Sequence, residues 1–451
     1  MKLSVEKQHE RMLKEPLPKL LLLLSLPTIA SQMISVLYNT ADTWFVSQIS
    51  TECAAAVGVC FPLTFLIQAF GLGFAMGASN LMSLCLGAEE NEKAECYAAS
   101  AMFGTCAAGL FLAVAGLSFL RPLMVLFGAT GEIIDLSASY AFYILITAPI
   151  YCGSFVLSNT LRAAGQSNAS SIGLCIGAII NIILDPIFIF VLKLGIAGAA
   201  MATSLSQLIS FIILLIPFIS GKSIVRLKLS NVSKSLKTYK TILSIGFPTI
   251  CRQGFGTVSS TVLNNCATVY GPAALATVNI VNKLYVFVRN IILGIGQGFQ
   301  PIAGYNYGAG DLKRTKGVFK VAVLYGTIIC VSCALLLHTF SYEIISWFRN
   351  DTEVIEIGLE AMNYICIVMP LMGFSTYVNQ LYQCLGFKVQ AAILASCRQG
   401  LCFLPLAFIL PGLLGLTGVE MLQPGADFLT FVVSIPFYIW FNKNIFEKEQ
   451  C

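Results

Sequence analysis

Charged side chains are scarce in this sequence. Only 11% of its 451 residues are Asp, Glu, Lys or Arg, whereas a soluble domain of this size carries about 25%. Hydrophobic residues make up 57% of the chain, and apolar stretches of about 18 residues or more, long enough to cross a bilayer, recur along it. The composition therefore excludes an ordinary soluble globule and predicts an all-α polytopic membrane protein.

Catalytic signatures are also missing. The chain has two histidines, His9 and His338, which excludes an H-E-x-x-H motif or a histidine metal cluster. It contains neither a G-x-S-x-G motif nor a P-loop. Most of the sixteen Cys lie in apolar segments, where Cys packs as a small hydrophobic residue. We therefore expect no enzyme activity, no resident metal and no cofactor, so that any transport would draw its energy from an ion gradient or a partner.

Positive charge is concentrated on one side of the predicted membrane. Loops are numbered in chain order, each after the predicted span that it follows. The net charge is +5, and most of the 27 Lys and Arg lie in the N-terminal tail, the even-numbered loops and the C-terminal tail. Only Arg121, Lys193 and Arg349 lie in odd-numbered loops. This asymmetry predicts that both termini are cytoplasmic. It indicates a multi-pass protein of a prokaryotic inner (plasma) membrane and argues against a nucleic-acid partner.

The predicted spans fall into two groups of six. A basic cytoplasmic linker, residues 221–240, separates a first lobe at 1–220 from a second lobe at 241–451. We therefore predict twelve transmembrane helices in two six-helix bundles. Because each lobe has an even number of spans, both lobes enter the membrane from the same side, and their repeats are parallel, as in one group of secondary transporters.

An internal repeat supports this division. A shift of 221 residues places Pro27-Thr28-Ile29 on Pro248-Thr249-Ile250 and Gly87-Ala88 on Gly308-Ala309. Proline and glycine fix backbone geometry, so a constant offset across them indicates duplication rather than chance. Duplication without transport is the alternative interpretation.

Polar residues inside predicted spans are the strongest chemical signal, because a charge at mid-bilayer costs about 2.5–3.5 kcal/mol on insertion scales. Asp42 in span one and Asp185 in span five lie at similar depths below the outer helix ends. Asn181 precedes Asp185 by one helical turn, and Thr203 and Tyr140 reach similar depths on spans six and four. Two nearby carboxylates repel each other when both are charged, which suits a site that loads and releases a proton. We interpret the five residues as an ion-coupling site; a structural hydrogen-bond network without an ion is the alternative.

Pro27 lies within span one. Proline removes a backbone hydrogen bond and bends a helix. The bend predicts either a hinge or a helix that is curved to fit its neighbours.

The second lobe has no matching acid pair. Leu263 and Leu406 stand at the positions that correspond to Asp42 and Asp185. This lobe carries several bases in or near its spans, which are Arg252, Lys283, Arg289 and Arg398. We interpret Gln253, Asp427, Arg252 and Arg289 as candidate residues of a substrate cavity.

These motifs resemble the multidrug and toxic compound extrusion (MATE) family over nearly the whole chain. The segments that carry the resemblance are Leu26-Pro27, Tyr38-Asn39-Thr40-Ala41-Asp42-Thr43, Asn181-Ile182-Ile183-Leu184-Asp185-Pro186, Gly198-Ala199-Ala200-Met201-Ala202-Thr203 and Gly298-Phe299-Gln300-Pro301. The resemblance implies a V-shaped pair of six-helix lobes that exports organic cations in exchange for H⁺ or Na⁺, and so a role in xenobiotic export and drug resistance.

Members of the damage-inducible and archaeal type use a first-lobe ion site. Its residues match Asp42, Asn181, Asp185 and Thr203, so the resemblance implies that a coupling Na⁺ would bind at Asp42 and Asp185. The bent first helix of that type corresponds to the one with Pro27. Another branch needs an acid in span seven, where this chain has Gln253, and a second-lobe sodium site is therefore not expected.

Other functions remain open at this point. A flippase for lipid-linked oligosaccharides of the same superfamily would favour fourteen spans and a strongly basic cavity. A channel would not need two rocking lobes, and a membrane-embedded enzyme should present a catalytic His or Cys. We expect a monomer that handles a small-molecule substrate and contacts membrane lipid.

Overall fold

The computed structural model describes residues 2–447. Within that range every regular element is a helix. The two ends of the chain, Met1 and residues 448–451, lie outside the described residues, and with them the predicted cytoplasmic location of the termini.

Eight α-helices form the first half of the chain, and the seventh continues into a π-helical turn. They are α1 (Lys2–Lys14), α2 (Leu17–Ser47), α3 (Thr51–Gly87), α4 (Asn91–Ser118), α5 (Leu120–Leu126), α6 (Ile133–Ala163), α7 (Ser167–Pro186, then the π turn Ile187–Val191) and α8 (Gly195–Ile219).

Nine more α-helices and one short 3-10 helix, Leu229–Asn231, make up the rest of the described chain. They are α9 (Leu236–Thr268), α10 (Pro272–Gly308), α11 (Leu312–Thr339), α12 (Ser341–Phe348), α13 (Thr352–Cys384), α14 (Lys388–Ser396, then the π turn Cys397–Leu401), α15 (Phe403–Leu414), α16 (Leu416–Glu420) and α17 (Leu422–Phe441, then the π turn Asn442–Phe446).

Between residues 2 and 447, eleven helical segments are long and apolar enough to cross a bilayer. Helix α9 is the remaining long helix; its 33 residues extend about 50 Å at 1.5 Å per residue. It is less apolar because it carries polar side chains such as Arg252 and Gln253. Together with α9, these segments correspond to the twelve predicted spans, and the all-α polytopic fold class is confirmed.

The chain divides into two compact units. The first unit takes in the chain up to Glu15 and Leu23–Gly246, and the second takes in Pro16–Leu22 and the chain from Phe247 onward. The boundary near the middle of the chain therefore lies within α9 and not in the predicted linker at 221–240.

Hydrogen bonds to α4 explain why the linker belongs to the first unit. The Glu95 carboxylate accepts a hydrogen bond from the Arg226 backbone N–H at 3.1 Å and another from Asn231 Nδ2 at 2.8 Å. The Ser233 backbone N–H donates to Ser100 Oγ at 2.9 Å. These contacts join residues far apart in sequence, which charge and hydropathy patterns do not reveal.

Within the first unit, small residues bring α7 and α8 into close contact. Ser210 Oγ donates to the Gly173 carbonyl at 3.0 Å. A Cβ added at Gly177 would lie 2.6 Å from the Ser210 Cβ. Gly173, Gly177, Asn181 and Asp185 follow one another at intervals of four, so all four lie on one face of α7, and all are buried. The close packing of this face sets the positions of the polar residues described below.

We expect Gly177→Ala to lower stability by about 1–3 kcal/mol, the range for overpacking a tight contact. The added methyl group meets Ser210, whereas at Gly58 no heavy atom lies within 4 Å of an added Cβ. Gly58→Ala is therefore the matched control. Thermal unfolding of the purified variants, followed by tryptophan fluorescence, measures the difference. Equal unfolding midpoints for the two variants would contradict this account of the packing.

Candidate functional site

The polar residues predicted on α7 and α8 form one hydrogen-bonded cluster. Asn181 Nδ2 donates to Asp185 Oδ1 at 3.2 Å and to Thr203 Oγ1 at 3.3 Å. A single side-chain amide therefore connects the two helices. Asp185 is fully buried, and only 1% of Asn181 is exposed, so both groups are shielded from bulk water.

Asp42 on α2 and Tyr140 on α6 join this cluster. Asp42 lies close enough to Asp185 for a direct electrostatic interaction, and buried Tyr140 interacts with both carboxylates. The rings of Phe45 and Phe190 pack edge to face with their centroids 6.4 Å apart, which brings the end of α2 to the π turn that follows α7. The structure thus brings together all five residues of the predicted ion-coupling site.

Three buried oxygen atoms of the cluster accept no hydrogen bond from the described residues. They are Asp42 Oδ1, Asn181 Oδ1 and Asp185 Oδ2. An unsatisfied buried acceptor costs about 1–3 kcal/mol, so these oxygens favour a bound group that donates a hydrogen bond or carries positive charge. Hard cations prefer carboxylate and amide oxygens as ligands, and a carboxylate can instead take up a proton. The donor set therefore fits either of the two ions.

Three further residues, which the sequence did not assign to the ion-coupling site, lie beside the cluster. Tyr38 interacts with Asp42, one helical turn away, and with Tyr151, while Gln68 Nε2 donates to the Tyr151 hydroxyl at 2.9 Å. The four-residue spacing between Tyr38 and Asp42 was an available signal. Tyr151 on α6 and Gln68 on α3 have no local pattern that would have indicated them.

Pro27 lies inside α2, which continues as one helix from Leu17 to Ser47. Next to the proline, Thr28 Oγ1 donates to the Ser25 carbonyl at 2.7 Å and Ser31 Oγ to the Thr28 carbonyl at 2.9 Å. Such hydroxyl contacts supply hydrogen bonds where a proline interrupts the backbone pattern. The hinge role of Pro27 stays a prediction.

In the second unit, Asp427 on α17 forms an ion pair and accepts two further hydrogen bonds. Arg398 Nε donates to Asp427 Oδ1 at 2.7 Å, the Tyr285 hydroxyl to Oδ2 at 2.6 Å and Gln423 Nε2 to Oδ1 at 3.2 Å. Arg398 also donates to the Tyr285 hydroxyl. Both carboxylate oxygens are therefore satisfied, in contrast to the acids of the first unit.

The other predicted cavity residues are half-buried. Arg289 on α10 and Arg252 on α9 lie close enough to Arg398 to interact electrostatically with it. Gln253 follows Arg252 on α9, and its side chain forms no hydrogen bond within the described part of the chain. The structure thus brings Asp427, Arg252 and Arg289 together and leaves Gln253 outside the hydrogen-bonded network.

A family model described as MatE matches residues 27–187 and, a second time, residues 248–409. The chain belongs to the MatE family. The two matches begin 221 residues apart, which agrees with the repeat that the sequence indicates. MatE proteins are transporters, so the prediction that this chain is not an enzyme is confirmed.

Individual relatives agree with the assignment to MatE. The chain is 28% identical over 407 residues to the multidrug export protein MepA of Staphylococcus aureus, which covers 90% of each chain. It is 26% identical over 396 residues to MepA of Staphylococcus saprophyticus, which covers 88% of this chain and 87% of the relative. An outward-facing structure of a multidrug resistance MATE family transporter matches with a TM-score of 0.90 at 24% identity, over 95% of this chain and 97% of that one. The last match shows that this MatE protein has the same fold.

The difference in partners between the two clusters predicts a difference in chemical reactivity. Dicyclohexylcarbodiimide modifies carboxyl groups that are protonated in apolar surroundings. We expect it to label Asp42 or Asp185, which have oxygens without donors, at least tenfold faster than Asp427, whose oxygens are engaged by Arg398, Tyr285 and Gln423. Mass spectrometry of peptides from the labelled protein measures both rates. Faster labelling at Asp427 than at either first-unit acid would show that the partners in the structure are misassigned.

Proposed function

We propose that this chain is a secondary active antiporter that exports organic, amphipathic and mainly cationic drugs or metabolites in exchange for H⁺ or Na⁺. One observation carries the proposal: the cluster of Asp42, Asn181 and Asp185 presents three buried oxygens without hydrogen-bond donors. Membership of the MatE family and similarity to proteins named multidrug export protein support it.

Ion binding at this cluster would act first on α2 and α7. With the site empty, the charges of Asp42 and Asp185 repel each other across these two helices. A bound Na⁺ or proton removes that repulsion and favours their close approach, with Asn181 keeping Asp185 in place. The position of α2 relative to α7 therefore depends on the ion, and Pro27 lies on the same helix as Asp42.

Coupling requires one more condition. A ligand shifts a conformational equilibrium only by the difference between its affinities for the two states. The ion must therefore bind more tightly when the cluster is closed than when α2 has moved away. Substrate export then follows from the gradient, because ion binding and ion release occur on opposite sides of the membrane.

The two candidate ions make different demands on the same residues. A proton needs one carboxylate, and its binding would not depend strongly on Asn181 Oδ1. A sodium ion needs several oxygen ligands at once, which Asp42, Asp185 and Asn181 offer. Transport driven separately by a pH gradient and by a sodium gradient distinguishes the two.

We also propose that the protein resides in a prokaryotic inner membrane as a monomer, in contact with membrane lipid and with both termini in the cytoplasm. The orientation is supported by the concentration of Lys and Arg in the tails and even-numbered loops.

Asp42→Asn and Asp185→Asn should each abolish gradient-driven efflux while the protein stays folded and inserted. Asparagine keeps the shape of the side chain but can neither take up a proton nor supply a full negative charge. The measurement is ethidium export by purified protein in proteoliposomes, with a pH gradient or a sodium gradient imposed.

Two variants serve as comparisons for this experiment. Asp135→Asn is the control, because Asp135 is exposed and pairs with Arg121 at the surface; its export should equal that of the unaltered chain. Asp427→Asn should reduce export less than the first-unit variants. Normal coupled efflux by the Asp42→Asn/Asp185→Asn double variant would end the proposal.

The orientation is tested by cysteine labelling. Lys234→Cys, on a background without native Cys, should not react with a membrane-impermeant maleimide in intact cells and should react fully after permeabilisation. Lys193→Cys, in a predicted outer loop, is the matched control and should react in intact cells. Labelling of both sites in intact cells would refute the predicted topology.

A further inference from the structure

Three arginines lie near one another inside the second unit. Arg252 belongs to α9, Arg289 to α10 and Arg398 to the π turn that follows α14. Arg252 interacts electrostatically with the other two, as does Arg289 with Arg398. Like charges repel, so such a group is stable only if enough negative charge lies beside it.

Among the described residues, Asp427 is the carboxylate beside this group; it pairs directly with Arg398 and interacts with Arg289 only at longer range. Asp427 forms its ion pair with Arg398, and its other hydrogen bonds come from Tyr285 and Gln423. Arg252 and Arg289 have no carboxylate within ion-pair distance among the residues that the structure describes. Two half-buried guanidinium groups of this unit therefore have no ion-pair partner of their own in the described chain.

The contacts of Arg289 hold it in place without neutralising it. When the Gln399 amide is oriented so that both of its ends are satisfied, its oxygen accepts from Arg289 Nη1 at 3.1 Å and its nitrogen donates to the Arg252 carbonyl at 3.2 Å. Arg289 Nε is buried and has no acceptor among the described residues. Gln399 thus connects α10 to α9 and leaves donors of the guanidinium group free.

This part of the second unit is closely packed. A Cβ added at Gly400 would lie 2.8 Å from the Phe255 ring, and one added at Gly256 would lie 3.0 Å from the side-chain amide of Gln399. The Arg398 guanidinium lies 5.4 Å from the centroid of the Tyr285 ring, a cation–π contact. The side chains around Arg252 and Arg289 are therefore held by contacts with their neighbours.

We propose that Arg252 and Arg289, supported by Arg398 and Gln399, form a binding subsite for a carboxylate or phosphate group in the second unit. The planar guanidinium matches the oxygens of these anions with paired hydrogen bonds. As far as the anion is a group of the exported molecule, this inference rests on the proposed function. It then extends the substrate class from cations to amphipathic molecules that carry an acidic group.

An anionic lipid headgroup offers the same chemistry as an acidic solute. The experiment therefore uses the full chain in lipid nanodiscs of two compositions, pure phosphatidylcholine and a mixture with phosphatidylglycerol. Potassium phosphate and potassium acetate replace potassium chloride at constant ionic strength and pH. The readout is the unfolding midpoint, since a ligand of the folded state raises it by an amount that grows with the logarithm of one plus the ratio of ligand concentration to Kd.

In phosphatidylcholine, we expect phosphate or acetate to raise the midpoint of the unaltered chain, with the logarithmic concentration dependence of a bound ligand. The Arg252→Gln/Arg289→Gln variant should bind that anion at least tenfold more weakly. Arg121→Gln/Arg349→Gln is the matched control, because it removes two exposed charges outside the cluster and should keep the full response. Arg252→Lys/Arg289→Lys keeps the charge and loses the planar fork; it should show an intermediate affinity, and it replaces the glutamine variant if that variant does not fold.

The two lipid compositions identify the source of the anion. A midpoint that is already raised in phosphatidylglycerol, and that phosphate no longer changes, supports the subsite with a lipid headgroup as its ligand. No response to either anion in phosphatidylcholine together with no effect of phosphatidylglycerol would overturn the inference, as would equal responses in the unaltered chain and the glutamine variant.

Ethidium export by the unaltered chain separates this inference from the proposed function. Normal export without any anion response would refute the anion subsite and leave the proposed function standing. An anion response without ion-coupled export would refute the proposed function and leave the anion subsite standing.

Discussion

The hydrocarbon core of a bilayer offers no hydrogen bonds, and the rest of this structure follows from that constraint. Backbone groups within the membrane must find partners in their own segment, which is why every regular element between residues 2 and 447 is a helix. Polar side chains inside the spans must likewise find partners on neighbouring helices. The two polar clusters therefore form where helices pack closely, beside Gly177 in the first unit and Gly400 in the second.

The two clusters differ in how completely their polar groups are satisfied. In the first unit, Asn181 links Asp185 to Thr203, yet three acceptor oxygens remain without donors. In the second unit, both oxygens of Asp427 accept hydrogen bonds, and the buried atom of the cluster left without a partner among the described residues is a donor, Arg289 Nε. One cluster is thus suited to bind a cation or proton, and the other is suited to bind an anion.

Duplication explains how one chain came to hold two different polar clusters. The MatE family model matches each half at nearly equivalent positions, so the halves share a helical plan. The chemistry has diverged on it: Leu263, at the position that corresponds to Asp42, packs in an apolar cluster of the second unit together with Leu406, the counterpart of Asp185. In the second half of the chain, apolar side chains occupy the positions of the two acids, and the polar side chains lie at other positions.

The sequence by itself determined the fold class, the repeat and most of the acid cluster. Apolar runs of bilayer length have few alternatives to spanning helices, and carboxylates stand out in such runs because they are rare and costly there. The four-residue interval from Asn181 to Asp185 places both on one helix face without reference to any other helix. These features depend on composition or on residues close together in the chain, so they can be recognised from one sequence.

Only the tertiary structure decided which side chains of different helices meet. It assigned residues 221–240 to the first unit through Glu95, added Tyr151 and Gln68 to the surroundings of Asp42, and paired Asp427 with Arg398 and not with Arg252 or Arg289. Each of these contacts depends on the rotation and depth of a helix relative to its neighbours. Close packing across the whole unit sets both quantities, and no local pattern of residues encodes them.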